Sequence, residues 1–404
     1  MDSIPVRVDP CSSVVSSYPT RLTGRTPGLE SLMRQGVANL PLHYGAAPRW
    51  LFARMTRLAR AITEIIVRDF GPEEFLLRMS DPFWFQSFGC VLGFDWHSSG
   101  LTTTLCGAVK EGIKGLEKDL GLIVAGGKGA NSRKTPAELV EKSELFALDP
   151  TPFIYASRMS AKVDSAALQD GYQIYHHVFL LTGSGKWAVV QQGMNTDTRW
   201  ARRYHWLGDK VSDFVNEPHS AISCDHKAST LNMVAEESGS ARQVSAQLAG
   251  EKPWKNIQEL KRLKELSLPE HHPVFSSDIQ PDRMEKTLLK AYENPPQDFK
   301  ALLMTPGVGP KTIRALAMIA ELTYGAAPSF RDPVSYSFAH GGKDGFPYPI
   351  NRAHYDQSIA IMEQSIRAAK VGEKDRAEAL KRLGRWSAVQ GSASSKSKVQ
   401  SSNK

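Results

Sequence analysis

The places where this chain could do chemistry are few, and each puts charged side chains on glycine-rich or extended backbone. The first is "TPGVGPKTIRAL", Thr305 to Leu316. Gly307 and Gly309 permit positive φ and let an anion come close to the backbone. Pro310 suits the first position of a helix, where its missing N–H is no loss. The free N–H groups at that helix start, with the helix dipole, make an anion site. Lys311 adds a point charge there, with Thr312 beside it. Ile313, Leu316, Ala317 and Ala320 recur at helical spacing and give the helix a packing face.

The second place is "SAKVDSAALQDGYQIYHHVFLLTGSGKWAVVQQGMNTDTRWARRYHW". Two runs rich in β-branched and aromatic residues flank "TGSG" and predict a β-hairpin. Strict alternation puts Tyr172, Ile174, His176 and Val178 on one face and Gln173, Tyr175, His177 and Phe179 on the other, so His176 and His177 do not share a centre. Asp164 and Asp170 precede the first strand, and Lys186, Gln191 and Gln192 lie on its partner. Carboxylates with such neighbours are what a metal-dependent nuclease uses to hold Mg²⁺ and orient water, so Mg²⁺ is the cofactor this reading calls for. No residue order here matches a nuclease signature, and the plain alternative is a polar hairpin with hydrogen-bonded surface histidines.

"RWARRYHW" alternates Arg199, Arg202 and Arg203 with Trp200, Tyr204 and Trp206, the mixture that meets phosphates and stacks bases. If the segment is helical, the three arginines share a face and the aromatics pack in the core. Two shorter features are Asp95 and His97 in "FDWHSSG", and His340, Lys343 and Asp344 in "AHGGKDGFPYP". The basic "VAGGKGANSRKTP" lacks the GxxxxGK[ST] order of a phosphate-binding loop and reads as a polar linker.

"PGVGPKT" resembles the turn of the helix-hairpin-helix motif, departing from it at Thr305 and Ile313. The resemblance implies that Gly307, Gly309 and Lys311 grip a DNA backbone, contacts that position without reading sequence. Some members of that group are DNA glycosylases, which implies a second role: Lys311 as an amine that forms a Schiff base with the sugar, and Asp332 as the carboxylate that stabilises positive charge. Asp332 precedes Pro333, however, and Asp-Pro also simply opens turns.

These segments need a frame. At 404 residues with a formal net charge of +8, 41% hydrophobic and 23% charged, the composition is globular, and the basic balance favours a polyanionic partner. No apolar run approaches the ~20 residues that span a bilayer, and the first residues lack a secretory core, so the chain reads as cytoplasmic with no membrane partner. Cys11, Cys90, Cys106 and Cys224 form no CxxC pair. The spacing predicts a flexible arm over 1–25, a helical domain over 26–150 and a β-containing region over 151–235. A polar linker and charged helix follow over 236–280, a helix-hairpin-helix domain over 281–386, and a disordered basic tail over 387–404. The fold class expected is α+β, mainly α, with a central β-hairpin or small sheet.

The strings "FGCVLGFDWHSSG", "DGYQIYHHVF", "KWAVVQQGMN", "ARRYHW", "PGVGPKT" and "YSFAHGGKDGFPYP" together look like a family of bacterial and archaeal proteins known as domain of unknown function 763. That resemblance implies one continuous architecture in a soluble prokaryotic protein and no activity. The expectation is a DNA-binding protein of repair or processing, its second basic surface formed by Arg199, Arg202 and Arg203. The alternatives are a glycosylase or lyase using Lys311 and Asp332, a nuclease centred on Asp164 and Asp170, and an RNA-binding or scaffold protein in which the turn is a corner.

Overall fold

The computed structural model describes residues 47–94, 99–224, 226–264, 281–335 and 352–395. Helix α1 (Arg49–Phe70) forms because Met55, Leu58, Ile62 and Ile65 make one buried stripe, and Gly71 at φ 90° ends it. Pro72 then opens α2 (Pro72–Met79). Asp81 caps α3 (Pro82–Val91) by accepting from the Phe83 and Trp84 N–H groups at 2.8 and 3.3 Å. With α4 (Gly100–Gly112) these helices build one layer.

Strand β1 (Leu122–Lys128) comes next, followed by α5 (Thr135–Ser143) and α6 (Thr151–Lys162), which runs into a π-helical turn, Val163–Ala167. Strands β2 (Gln173–Thr182), β3 (Trp187–Asn195), β4 (Trp200–Leu207) and β5 (Ala221–Ser223) follow. The five pair in chain order, every pair antiparallel. Seven helices complete the described chain: α7 (Gly239–Ala249), α8 (Pro253–Lys264), α9 (Pro281–Glu293), α10 (Phe299–Met304), α11 (Pro310–Tyr324), α12 (Arg352–Ala368) and α13 (Glu373–Ser395).

The sheet is covered on both sides, which is unusual for antiparallel strands. Val124, Val178, Leu180 and Val190 pack under α1–α4 and the α12–α13 pair. Ile123, Phe179, Val189 and Trp206 face α5–α11. Segments 26–150, 151–235 and 281–386 therefore feed the same two cores. The fold is α+β, mainly helical around a small antiparallel sheet. Among the described residues no helix is long and apolar enough to cross a membrane.

Three expectations of local structure are corrected. "LIVAGGK" is a strand, not a linker, and it needs Gly126: at φ 92° a Cβ would lie 2.3 Å from the His177 carbonyl oxygen. "WARRYHWL", whose secondary structure the sequence left open, is a strand. The Gly/Ser/Ala/Gln stretch after 236 forms α7, whose Ala241, Leu248 and Ala249 are buried. The last helix runs past Trp386 to Ser395. The 1–25 arm, the Asp95–His97 pair and the His340, Lys343 and Asp344 loop lie outside the described residues.

Candidate functional site

Three neighbouring strands each carry a doubled polar residue: His176–His177 on β2, Gln191–Gln192 on β3 and Arg202–Arg203 on β4. Adjacent strand residues point opposite ways, so each doublet sends one member to each helical layer. The register aligns Lys128, His176, Gln192, Arg203 and Ser223 into one row across all five strands. His177, Gln191 and Tyr204 form the neighbouring row on the other face. All six doublet side chains are buried, which corrects both the surface histidines and the surface Arg202–Arg203 patch.

A β-bulge between Ile174 and His176 breaks the alternation. Tyr172 and Ile174 consequently pack with Phe179 on the α5–α11 side, and Tyr175 joins His176, bonding Gln192 Nε2 through its hydroxyl. The alternation read from sequence placed them the other way round.

On the α5–α11 face the polar groups form a closed chain. Fully buried Asp164 accepts from Gln191 Nε2 (2.5 Å), Trp206 Nε1 (3.0 Å) and His219 Nε2 (2.5 Å). Because a carboxylate only accepts, the Gln191 amide must turn its oxygen to His177 Nδ1, 2.9 Å away. His177 therefore carries its proton on Nδ1, and Nε2 accepts from the Ser157 hydroxyl at 2.9 Å. Burial pushes the His177 pKa down, against the pull of its bond to Gln191. Beside this chain, Asp170 accepts from Tyr204 Oη (2.6 Å), Arg202 Nη1 (3.0 Å) and the Tyr172 N–H (3.1 Å). Arg202 also forks onto Asp332 at 3.2 and 2.8 Å. Burial opposes charge on Arg202, but Asp170 and Asp332 outweigh it and hold the guanidinium pKa well above its ordinary value.

The α1–α4 face is different. Among the described residues, both ring nitrogens of His176, Gln192 Oε1, His205 Nε2 and Ser223 Oγ are buried and meet no hydrogen-bond partner. Arg203 donates to Gln86 Oε1 (2.8 Å) and lies over the Phe85 ring at 4.5 Å. Burial pushes the pKa values of His176 and His205 down to about 3, so both imidazoles are neutral at pH 7.

The residues proposed to do chemistry fall as follows. The oxygens of Asp164 and Asp170 already face N–H and O–H donors, so neither presents the open carboxylate that Mg²⁺ requires, and the pair does not fit that ion. Among the described residues no group of three or more His, Cys, Asp or Glu could hold a metal. Lys186 pairs with Asp209 at the surface, 2.7 Å away. Asp332 meets Arg202 and accepts from the Ala228 and Val334 N–H groups at 3.0 Å each. Arg199 alone of the three arginines is exposed, in the β3–β4 connection at φ 61°.

In the glycine turn, Gly307 takes φ 97°, where a Cβ would also press within 3.0 Å of Thr287 Oγ1. Gly309 is extended, at φ −146°, so positive φ is not its reason. A Cβ there would meet nothing within 4 Å among the described residues. Pro310 occupies the first turn of α11, Lys311 is exposed and the Thr312 side chain is buried. Ile313, Leu316, Ala317 and Ala320 are all buried. Lys162 Nζ donates to the Val308 carbonyl at 2.6 Å. Gln169 donates to the Pro310 carbonyl at 2.8 Å and accepts from Arg314 Nε at 2.8 Å. Sequence reading missed Lys162 and Gln169, because nothing local ties them to a turn about 140 residues away.

No curated protein and no solved structure matches the chain. A family model does match, over residues 36–350, so the chain belongs to the family described as protein of unknown function (DUF763).

Proposed function

We propose that this is a cytoplasmic DNA-binding protein of repair or processing that grips the phosphate backbone through a helix-hairpin-helix formed by α10, the Thr305–Gly309 turn and α11. The observation that carries the reading is the turn itself. Gly307 at φ 97° and the extended Gly309 precede the N-terminus of a 15-residue helix, with Lys311 exposed in its first turn. Backbone N–H groups and a cation there suit one phosphate, and no group in the turn reads a base. The buried Thr312 side chain leaves only its backbone N–H for this role.

The enzymatic readings have less support. A lyase needs Asp332 at the sugar, but its oxygens are taken by Arg202 and two backbone N–H groups. A nuclease needs open carboxylates, and Asp164 and Asp170 are closed in by donors. The test measures binding and turnover on labelled single-stranded, double-stranded and abasic DNA, with and without Mg²⁺, for the wild type and Lys311→Ala. The proposal expects salt-sensitive binding without cleavage, weakened by Lys311→Ala. Borohydride-trapped adduct or Mg²⁺-dependent cleavage would replace it with the lyase or nuclease, and absence of binding would leave the turn a structural corner.

A further inference from the structure

The glycine turn does not stand alone on the surface. Its carbonyls are held by Lys162 at the end of α6 and by Gln169 just after the π-helical turn, so the last turn of α6 lies directly against it. Burial lowers the Lys162 pKa, and its amine is committed to Val308. One helical turn back, at i−4 and hence on the same side of α6, stands Arg158. Arg158 is exposed, while Ser157, Met159 and Ser160 around it are buried. A helical turn rises about 5.4 Å, so Arg158 stands one such step along α6 from the lysine that holds the turn.

Resting on the DNA-binding reading of the turn, we infer that the backbone contact extends from Lys311 onto α6, where Arg158 takes a second phosphate and Lys162 positions the turn against it. Charge limits the track at its far end. Tyr155, a turn before Arg158, lies beside Lys300, whose amine is held by Asp213 at 3.4 Å and Asp298 at 3.9 Å. Those carboxylates repel a polyanion, so the strand leaves the surface there. The planar fork of arginine suits a phosphate met from the side, and Arg158 makes no base contact in this arrangement.

The experiment follows fluorescence anisotropy of a labelled DNA duplex across a salt series, for wild type, Lys311→Ala, Arg158→Ala and Arg158→Lys. Each phosphate contact contributes about 0.9 to the slope of log K against log salt, so Arg158→Ala should lower the slope by about that much and weaken binding about 5- to 10-fold at low salt. Arg158→Lys should restore the slope, and the loss should be the same on duplexes of unrelated sequence. An exposed arginine has little effect on folding, so an unchanged Tm in Arg158→Ala rules out a fold defect. If the wild type binds and Lys311→Ala lowers the slope while Arg158→Ala does not, the extension onto α6 is wrong and the turn reading survives. If the wild type binds no DNA, both fall together. A slope that stays low in Arg158→Lys as well as in Arg158→Ala, with binding also lost equally at high salt, overturns the inference.

Discussion

The two faces of the sheet carry nearly the same polar inventory and treat it in opposite ways. On the α5–α11 face, His177, Gln191 and Arg202 are knitted to Ser157, Asp164, Asp170 and Asp332, leaving each carboxylate filled. On the α1–α4 face their sequence neighbours His176 and Gln192 have buried atoms that meet no partner among the described residues, and Arg203 leans on an aromatic ring and an amide. A buried polar group contributes to stability only when its bonds are made, and is a burden otherwise. The first face therefore holds the fold together. The second shows no comparable network among the described residues.

That contrast is open to direct attack. The largest effect should come from Arg202→Ala, which leaves Asp170 and Asp332 buried without their cation. A loss of about 3–5 kcal/mol in urea unfolding is expected, and a loss below 1 kcal/mol would mean the network is ornamental. Acid comes next. His176 and His205 titrate near 6.5 when unfolded but only at about 3 when folded, through burial first and then nearby positive groups. Between those values the unfolded chain binds more protons. Stability is therefore full above pH 6.5 and falls as pH drops, by up to ~1.4 kcal/mol per pH unit for each histidine. His176→Leu should flatten that acid limb, as read from denaturation midpoints between pH 7 and 5.

The twin substitutions sharpen the comparison further. His177→Leu removes the bonds to Ser157 and Gln191 and should lose about 1–3 kcal/mol, whereas His176→Leu deletes no bond among the described residues and should be neutral or stabilising. Equal losses for the two would erase the distinction between the faces. Smallest of all, Arg199→Ala lies outside both networks and should move stability by no more than about 0.5 kcal/mol.

Much of the frame was legible beforehand. The hairpin around "TGSG" and the start of α11 at Pro310 both follow from local periodicity and turn chemistry. The strand at "LIVAGGK" was hidden because its glycines signal a loop, while their cause is the approach of His177 from another strand. "WARRYHWL" looked like a binding surface because arginines are usually exposed, and only the carboxylates of Asp170 and Asp332 make Arg202 an interior residue. The bulge at Tyr175 has no sequence mark, and it inverted the faces assigned to Tyr172 and Ile174. Long-range partners were the common element in these failures.

The doublets also bear on how the strands find their alignment. Sliding a strand by one residue ordinarily exchanges its two faces and is punished at once. Here a slip of β3 still leaves a glutamine on one of its two faces, and the same holds for histidine on β2 and arginine on β4. Repetition makes the polar residues poor judges of alignment during assembly. That task falls to singular features: Trp206, whose indole must reach Asp164, and Gly126, where only a residue without a side chain can pass the His177 carbonyl.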